Sequence, residues 1–373
     1  MAESILAAGQ EKHKVMRGIL AEGFSGRAIR GQEGLIMGHV DLMIQQLRKI
    51  EKHKTYGVNG NTSRESNARD VVIDMNEWFY WITSDIISDL TLGESFHCLE
   101  NLQTHPYLRF LSIVPEWLLK SVVLCHLGMG TIIEIVALTF ASKLSQMLEG
   151  MEERLEKRQL TFEQVLGTTN FLILAGSETT SITLTAFIYF MVTNPMQLIR
   201  VADEIRSAFK SEKEIVLSRA EELQYLNACL KETLRAFPAI AGGPPRVVAR
   251  GGRAIAGNYI PQGSIVSVHG YAATHMCKHF HEPFEFHPER FLGGEIYEGD
   301  VLAASQPFLV GQRNCLGKIL SLAEMRLIVS KLLWNFDMEL IPESKEWMVD
   351  RKIYIVWKHK PLMVGLKLRN YDV

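Results

Sequence analysis

The loop Phe308-Leu-Val-Gly311-Gln-Arg313-Asn-Cys315-Leu-Gly317 collects residue types that suit a metal-bearing macrocycle. A cysteine thiolate is a strong iron ligand, and on a heme iron it pushes electron density in the direction that favours O–O cleavage. The thiolate must be stabilised against protonation. Loop amides and the N-terminus of a following helix can do that. Gly311 and Gly317 let the backbone turn tightly and approach a flat ring. Arg313 can pair with a carboxylate such as a propionate, and Phe308 can cover the sulfur and exclude water. For Cys315 alone, an inert buried cysteine before a helix is the ordinary alternative. The full F-x-x-G-x-R-x-C-x-G pattern argues against it.

Three further groupings precede this loop or lead into it. Ala175-Gly176-Ser177-Glu178-Thr179-Thr180 lies inside a long apolar helical stretch. Small residues at Ala175 and Gly176 would let the helix lie flat on a macrocycle. The Thr179 hydroxyl beside the Glu178 carboxylate can relay protons toward dioxygen. Glu232 and Arg235 stand three apart on one helix face and can pair. Pro288-Glu289-Arg290-Phe291 follows them.

These four motifs, in this order, resemble the cytochrome P-450 family. The stretches Gly243-Pro-Pro-Arg246-Val-Val and Pro307-Phe308 through Lys318 are similar to filamentous-fungal members of specialised metabolism. The resemblance runs from about His13 to the C-terminus. It implies a mainly α cytochrome P-450 fold with a small β-rich part, forming a single domain over residues 1–373. It implies heme b as cofactor with Cys315 as the axial iron ligand. Phe308, Gly311, Arg313, Gly317, Ala175 and Gly176 would then border the heme. His13, Arg17 and Arg246 match positions that bind propionates. Glu178 and Thr179 match the oxygen-activation pair. Glu232, Arg235 and Arg290 match a structural triad under the cysteine loop, with no chemical step assigned. The implied reaction is monooxygenation of a small lipophilic substrate by dioxygen, with electrons from NADPH through cytochrome P-450 reductase. Two other outcomes stay open at this point. One is a heme-binding chain without turnover; the other is peroxide rearrangement without a reductase, which the Glu178–Thr179 pair disfavours.

The elements that must position these groups follow from pattern and composition. Apolar residues at three- and four-residue spacing predict helix over Asp70–Leu92, Leu144–Arg158 and Glu163–Thr193. Seven of the twelve prolines fall between 238 and 307, so that segment reads as strands and loops, with Gly263–His269 a strand candidate. Helix returns over Gly317–Phe336, and Lys352–Leu368 alternates enough for strands. Lys52–Arg69 reads as a polar loop, with a chance glycosylation triplet at Asn61-Thr62-Ser63. The apolar segment Ser121–Ser142 reads as a buried or membrane-surface helix, interrupted by Gly128, Gly130 and Glu134.

Apolar residues at 47% and charged residues at 22% describe a globular chain. A net charge of −2 offers no basic field, which excludes nucleic acid as a natural partner. Five cysteines without a C-x-x-C pair fit a reducing compartment rather than a disulfide framework. His275-Met-Cys277-Lys-His279-Phe-His281 has metal-binding residue types but no second cluster, and reads as a loop. Measured against the family, the chain is expected to lack the N-terminal anchor and first β-rich region, and to be short between Phe96 and Phe162. Residence on the cytosolic face of the endoplasmic reticulum membrane is expected by resemblance. A cytosolic location, or peripheral contact through the segment near Leu118–Leu138, is the alternative.

Overall fold

A long apolar helix organises the computed structural model, which describes residues 4–54, 71–113, 116, 120, 161–349 and 351–369. Before it come α1 (Gln10–Ala21), α2 (Gly26–Gly31), α3 (Glu33–Lys54), β1 (Val71–Asp74), α4 (Met75–Leu92), α5 (Cys98–Asn101) and α6 (Pro106–Leu111). The long helix is α7 (Phe162–Thr193), followed by α8 (Pro195–Ala208), α9 (Leu217–Ala220) and α10 (Gln224–Ala236). Short strands come next: β2 (Arg246–Val247), β3 (Arg253–Ile255), β4 (Asn258–Ile260) and β5 (Ile265–Val266). The chain closes with α11 (Gly270–Thr274), α12 (Lys318–Asn335), β6 (Phe336–Leu340), β7 (Lys352–Ile353), β8 (Trp357–Lys358) and β9 (Met363–Leu368).

The start of α7 is fixed by a capping box. Thr161 Oγ1 accepts from the Gln164 amide at 3.3 Å, and Gln164 Oε1 accepts from the Thr161 amide at 3.1 Å. The helix is long and apolar enough to cross a membrane, but 61% of its most apolar window is buried inside the molecule. It is a core helix, with Leu184, Phe187, Ile188 and Met191 fully enclosed. Burying a side chain such as Phe187 stabilises the fold by roughly 1.5–3 kcal/mol.

Helix α4 lies along α7. A Cβ on Gly176 would come within 2.7 Å of the Ile87 side chain, so glycine there permits the close approach. Thr83 Oγ1 donates to the Ser177 carbonyl at 3.0 Å and ties the two helices together. The α4 helix is capped by Asp74, whose side chain accepts from the Asn76 amide, and ends at Gly93 with φ +83°.

The helical expectation for Asp70–Leu92 is corrected at its first residues. Val71–Asp74 form β1, which pairs antiparallel with β9, Val71 opposite Leu366. The β-branched run Val71-Val72-Ile73 suits a strand, and Asp74 then starts the helix. Strand β9 also pairs with β6, giving the order β1-β9-β6. The strand expected over Gly263–His269 is limited to Ile265–Val266, paired with Arg246–Val247. The expectations for Gly317–Phe336 and Glu163–Thr193 match α12 and α7 within one residue at each end. Helix α3 extends through Lys54, into the start of the expected loop. The expected helix Leu144–Arg158, the apolar segment Ser121–Ser142 and the Asn61 triplet lie outside the described residues.

Candidate active site

The cysteine loop is a tight hairpin leading into α12. The Cys315 amide donates to the Phe308 carbonyl at 2.8 Å, and the Asn314 amide to the Gly311 carbonyl at 3.1 Å. Gly311 takes φ +80°, where a side chain would be strained, and Leu309 accepts that strain at φ +58°. Gly317 needs no such freedom: its φ is −82° and it is the N-cap of α12. The space where its Cβ would stand is open, so close approach is its remaining use. The Lys318 ammonium sits 5.8 Å from the Phe308 ring centroid.

Burial is the largest influence on the Cys315 thiol and pushes its pKa up; the Gly317 amide, the Arg17 charge and Lys318 pull the other way. The Gly317 and Lys318 amides at the helix start and the Arg17 charge thus oppose the effect of burial. They favour thiolate, and a bound cation would add to them.

Helix α1 brings two basic residues to this loop. Arg17 donates through Nη1 to the Asn314 carbonyl at 2.8 Å and through Nη2 to Asn314 Oδ1 at 2.5 Å. Arg313 Nη2 donates to the Ala8 carbonyl at 2.7 Å. His13 is buried, and its pKa is lowered by burial first and then by the charges of Arg313 and Arg17. The three basic side chains are thus neighbours. Among the described residues, none of them has a carboxylate at ion-pair distance. A small apolar cluster of Ile5, Ala8 and Met16, with Leu20, Phe171 and Leu316 packed on it, holds α1 against α7 and the cysteine loop. Arg246, expected to join them, is exposed on β2, and its hydrogen bond goes to the neighbouring Pro245 carbonyl at 3.0 Å.

The residues expected to relay protons lie on α7. Thr179 Oγ1 donates to the Ala175 carbonyl at 2.7 Å, so these two residues share a face. Gly176 faces Ile87 of α4. Glu178 lines the same cavity as Tyr80 of α4, whose hydroxyl donates to the Leu108 carbonyl at 3.2 Å. Burial pushes the Glu178 carboxyl up to about 7. Glu178 and Tyr80 line a cavity of about 510 Å³ together with Ser181, Ile182 and Trp357.

On α10, Glu232 accepts two hydrogen bonds from Arg235, both at 2.7 Å, and one from Arg290 at 3.1 Å. Arg235 also donates to the carbonyls of Thr274, Pro283 and Glu285. Arg290 donates to Asp300 and to the His281 carbonyl. The expected triad is thus assembled, and Asp300 completes it. His275, in the tract with metal-binding residue types, stacks on Tyr271 with centroids 3.9 Å apart, and burial pushes its pKa down to about 4.

A sequence model of the Cytochrome P-450 family matches residues 138–366. The cytochrome P-450 monooxygenase tpeC of Talaromyces stipitatus is 36% identical over 97% of this chain and 72% of its own length. The averantin hydroxylase of Dothistroma septosporum is 33% identical over 99% of this chain and 72% of its own length. The cytochrome P-450 monooxygenase 1 of Neocamarosporium betae is 34% identical over 98% of this chain and 76% of its own length. The chain belongs to the cytochrome P-450 family. As a cytochrome P-450 it is a monooxygenase, with the mainly α fold read from its sequence. The family implies heme, dioxygen and a redox partner.

The residues present fit a heme. A flat anionic macrocycle needs a thiolate-forming cysteine, cations for its carboxylates and apolar walls. Cys315 supplies the first, and His13, Arg17 and Arg313 the second. Val310, in the cysteine loop itself, is 70% exposed and offers apolar surface for the third. Tyr80, Asn314 and Asp300 escaped the sequence reading. Of these only Asn314 had a signal, as the neighbour of the cysteine.

Proposed function

We propose that this chain holds heme b through Cys315 and oxidises a small lipophilic substrate of fungal specialised metabolism. Electrons come from NADPH through cytochrome P-450 reductase. One observation carries this reading. Cys315 leads into the start of α12, where the Gly317 and Lys318 amides favour its thiolate, beside three basic groups that have no carboxylate at ion-pair distance among the described residues.

When bound, heme supplies reductive activation of dioxygen and transfer of one oxygen atom. The chain's own residues do the rest. Gly317 and Lys318 hold the sulfur as thiolate. His13, Arg17 and Arg313 bind the propionates as charge-assisted donors, with Arg17 and Arg313 giving up hydrogen bonds to backbone carbonyls. Ala175 leaves room on the α7 face that Thr179 shares. Glu178, with a pKa of about 7, keeps a proton available near neutral pH. Thr179 holds its hydroxyl one residue further along the helix.

The test is turnover of the heme-loaded chain with NADPH, a fungal reductase and isotopically labelled dioxygen, screened against lipophilic aromatic and terpenoid panels. One labelled oxygen atom in the product is expected. Heme binding with no labelled product from any panel would favour a non-catalytic heme-binding chain. The same reading puts the chain at the cytosolic face of the endoplasmic reticulum membrane. A tagged chain recovered wholly in the soluble fraction would overturn that placement.

A further inference from the structure

Arg17 grips a single residue at two points. Its Nη1 donates to the Asn314 carbonyl at 2.8 Å and its Nη2 to Asn314 Oδ1 at 2.5 Å, although the two residues lie 297 positions apart in sequence. Both acceptor oxygens of the residue next to Cys315 therefore serve one guanidinium. That guanidinium comes from α1, which Ile5, Ala8 and Met16 hold against Leu316.

The two acceptors differ in kind. The carbonyl belongs to the hairpin backbone and would be there with any residue. The side-chain oxygen is there because the residue is asparagine. Closure of the loop does not need it: the Asn314 amide donates to the Gly311 carbonyl and the Cys315 amide to the Phe308 carbonyl, all through backbone. Nor does Asn314 take a positive φ, the other common reason for asparagine in a turn. The Arg17 bond is the use the structure shows for this oxygen. Two N–H groups of the planar guanidinium fork are occupied by Asn314, and others remain for an anion. An arginine held in this way has already lost the freedom of its long side chain before a carboxylate arrives.

We propose that Asn314 is a positioning residue for the heme carboxylates: its side-chain oxygen holds the Arg17 guanidinium beside the cysteine loop, so that the arginine meets a propionate already oriented. This deepens the heme reading and rests on it. Asn314 itself touches no part of the heme in this account. Arg17 gives up the Asn314 carbonyl to a propionate and keeps the Oδ1 bond, which is the part of the grip that the asparagine side chain supplies.

The experiment measures heme loss from the loaded chain to an excess of acceptor apoprotein, with heme b and with its dimethyl ester, in which both carboxylates are blocked. Asn314→Ala should speed the loss of heme b about fivefold, the worth of one hydrogen bond, and leave the loss of the ester unchanged. In an Arg17→Ala background, Asn314→Ala should add nothing. Asn314→Ser, with a side chain too short to keep the Arg17 bond, should behave as the alanine variant does and keeps the test open if that variant does not fold. Equal acceleration for both hemes would make Asn314 a loop support, and additive effects in the double variant would make it independent of Arg17. Either result overturns the proposal, as does unchanged loss of heme b. The reduced carbon monoxide spectrum separates the two possible failures. A wild-type chain that takes up no heme sinks the heme reading and this inference together, whereas an intact long-wavelength band with Asn314 variants that match wild type sinks this inference alone.

Discussion

Two arginine clusters handle charge in opposite ways. Arg235 and Arg290 are at most 3% exposed, and both donate to a fully buried Glu232. Arg290 has a second carboxylate in Asp300. Arg17 and Arg313 are only half-buried and donate to Asn314 and to the Ala8 carbonyl instead. The first cluster is complete within the protein. The second consists of cations whose present partners are neutral and exchangeable. A closed network gives rigidity, whereas an open one leaves room for an anion to bind. The difference separates scaffold from site without any reference to sequence motifs.

Removing a partner should therefore have different consequences in each place. Glu232→Ala leaves two buried guanidinium groups facing each other and should cost about 3–5 kcal/mol of stability in denaturant unfolding. Heme retention would be lost with the fold. If Glu232→Ala unfolded at the wild-type midpoint, the triad would not be a scaffold. Arg17→Ala or Arg313→Ala should leave stability within about 1 kcal/mol, since each loses only half-buried neutral acceptors. Each should weaken heme retention about tenfold, the value of one charge-assisted hydrogen bond, measured by transfer of heme to an acceptor protein. Equal effects on stability and heme retention would erase the distinction.

Asp74 sharpens the contrast as a half-buried carboxylate served only by amides, from Asn76 and Leu362. Burial, the largest influence, pushes its pKa from 3.8 up to about 6. Between those values the folded chain keeps a proton that the unfolded chain has released. Stability from this group is thus present below about 4, falls as pH rises toward 6, and stays lower above it. Asp74→Asn keeps both acceptor bonds through its amide oxygen and removes that slope. Thermal melts of the variant should exceed wild type at pH above 6 and converge with it in acid. A wild-type slope persisting in Asp74→Asn would assign it to another group.

What could be read in advance was whatever depends on neighbours along the chain. The cysteine loop, the Glu232–Arg235 pair and the long α7 helix are local patterns, and each is found where expected. Contacts between distant segments were not legible. Strand β1 hides at the head of a helical pattern because its partner β9 lies almost 300 residues away. Asp300 sits in a loop without periodicity and reaches Arg290 only through folding. Tyr80 is one of four successive aromatic residues, Trp78 to Trp81, and nothing in that run marks which one lines the cavity with Glu178. The close approach of Gly176 to Ile87 was likewise not legible, because small size alone does not give direction.

The most direct measurement is the carbon monoxide difference spectrum of the reduced, heme-loaded chain beside that of Cys315→Ala. A long-wavelength Soret band in the wild type and its loss in the variant are predicted, because only thiolate ligation from Cys315 produces that band in this chain. A short-wavelength band in the wild type, or a long-wavelength band that survives Cys315→Ala, would contradict the assignment of the iron ligand.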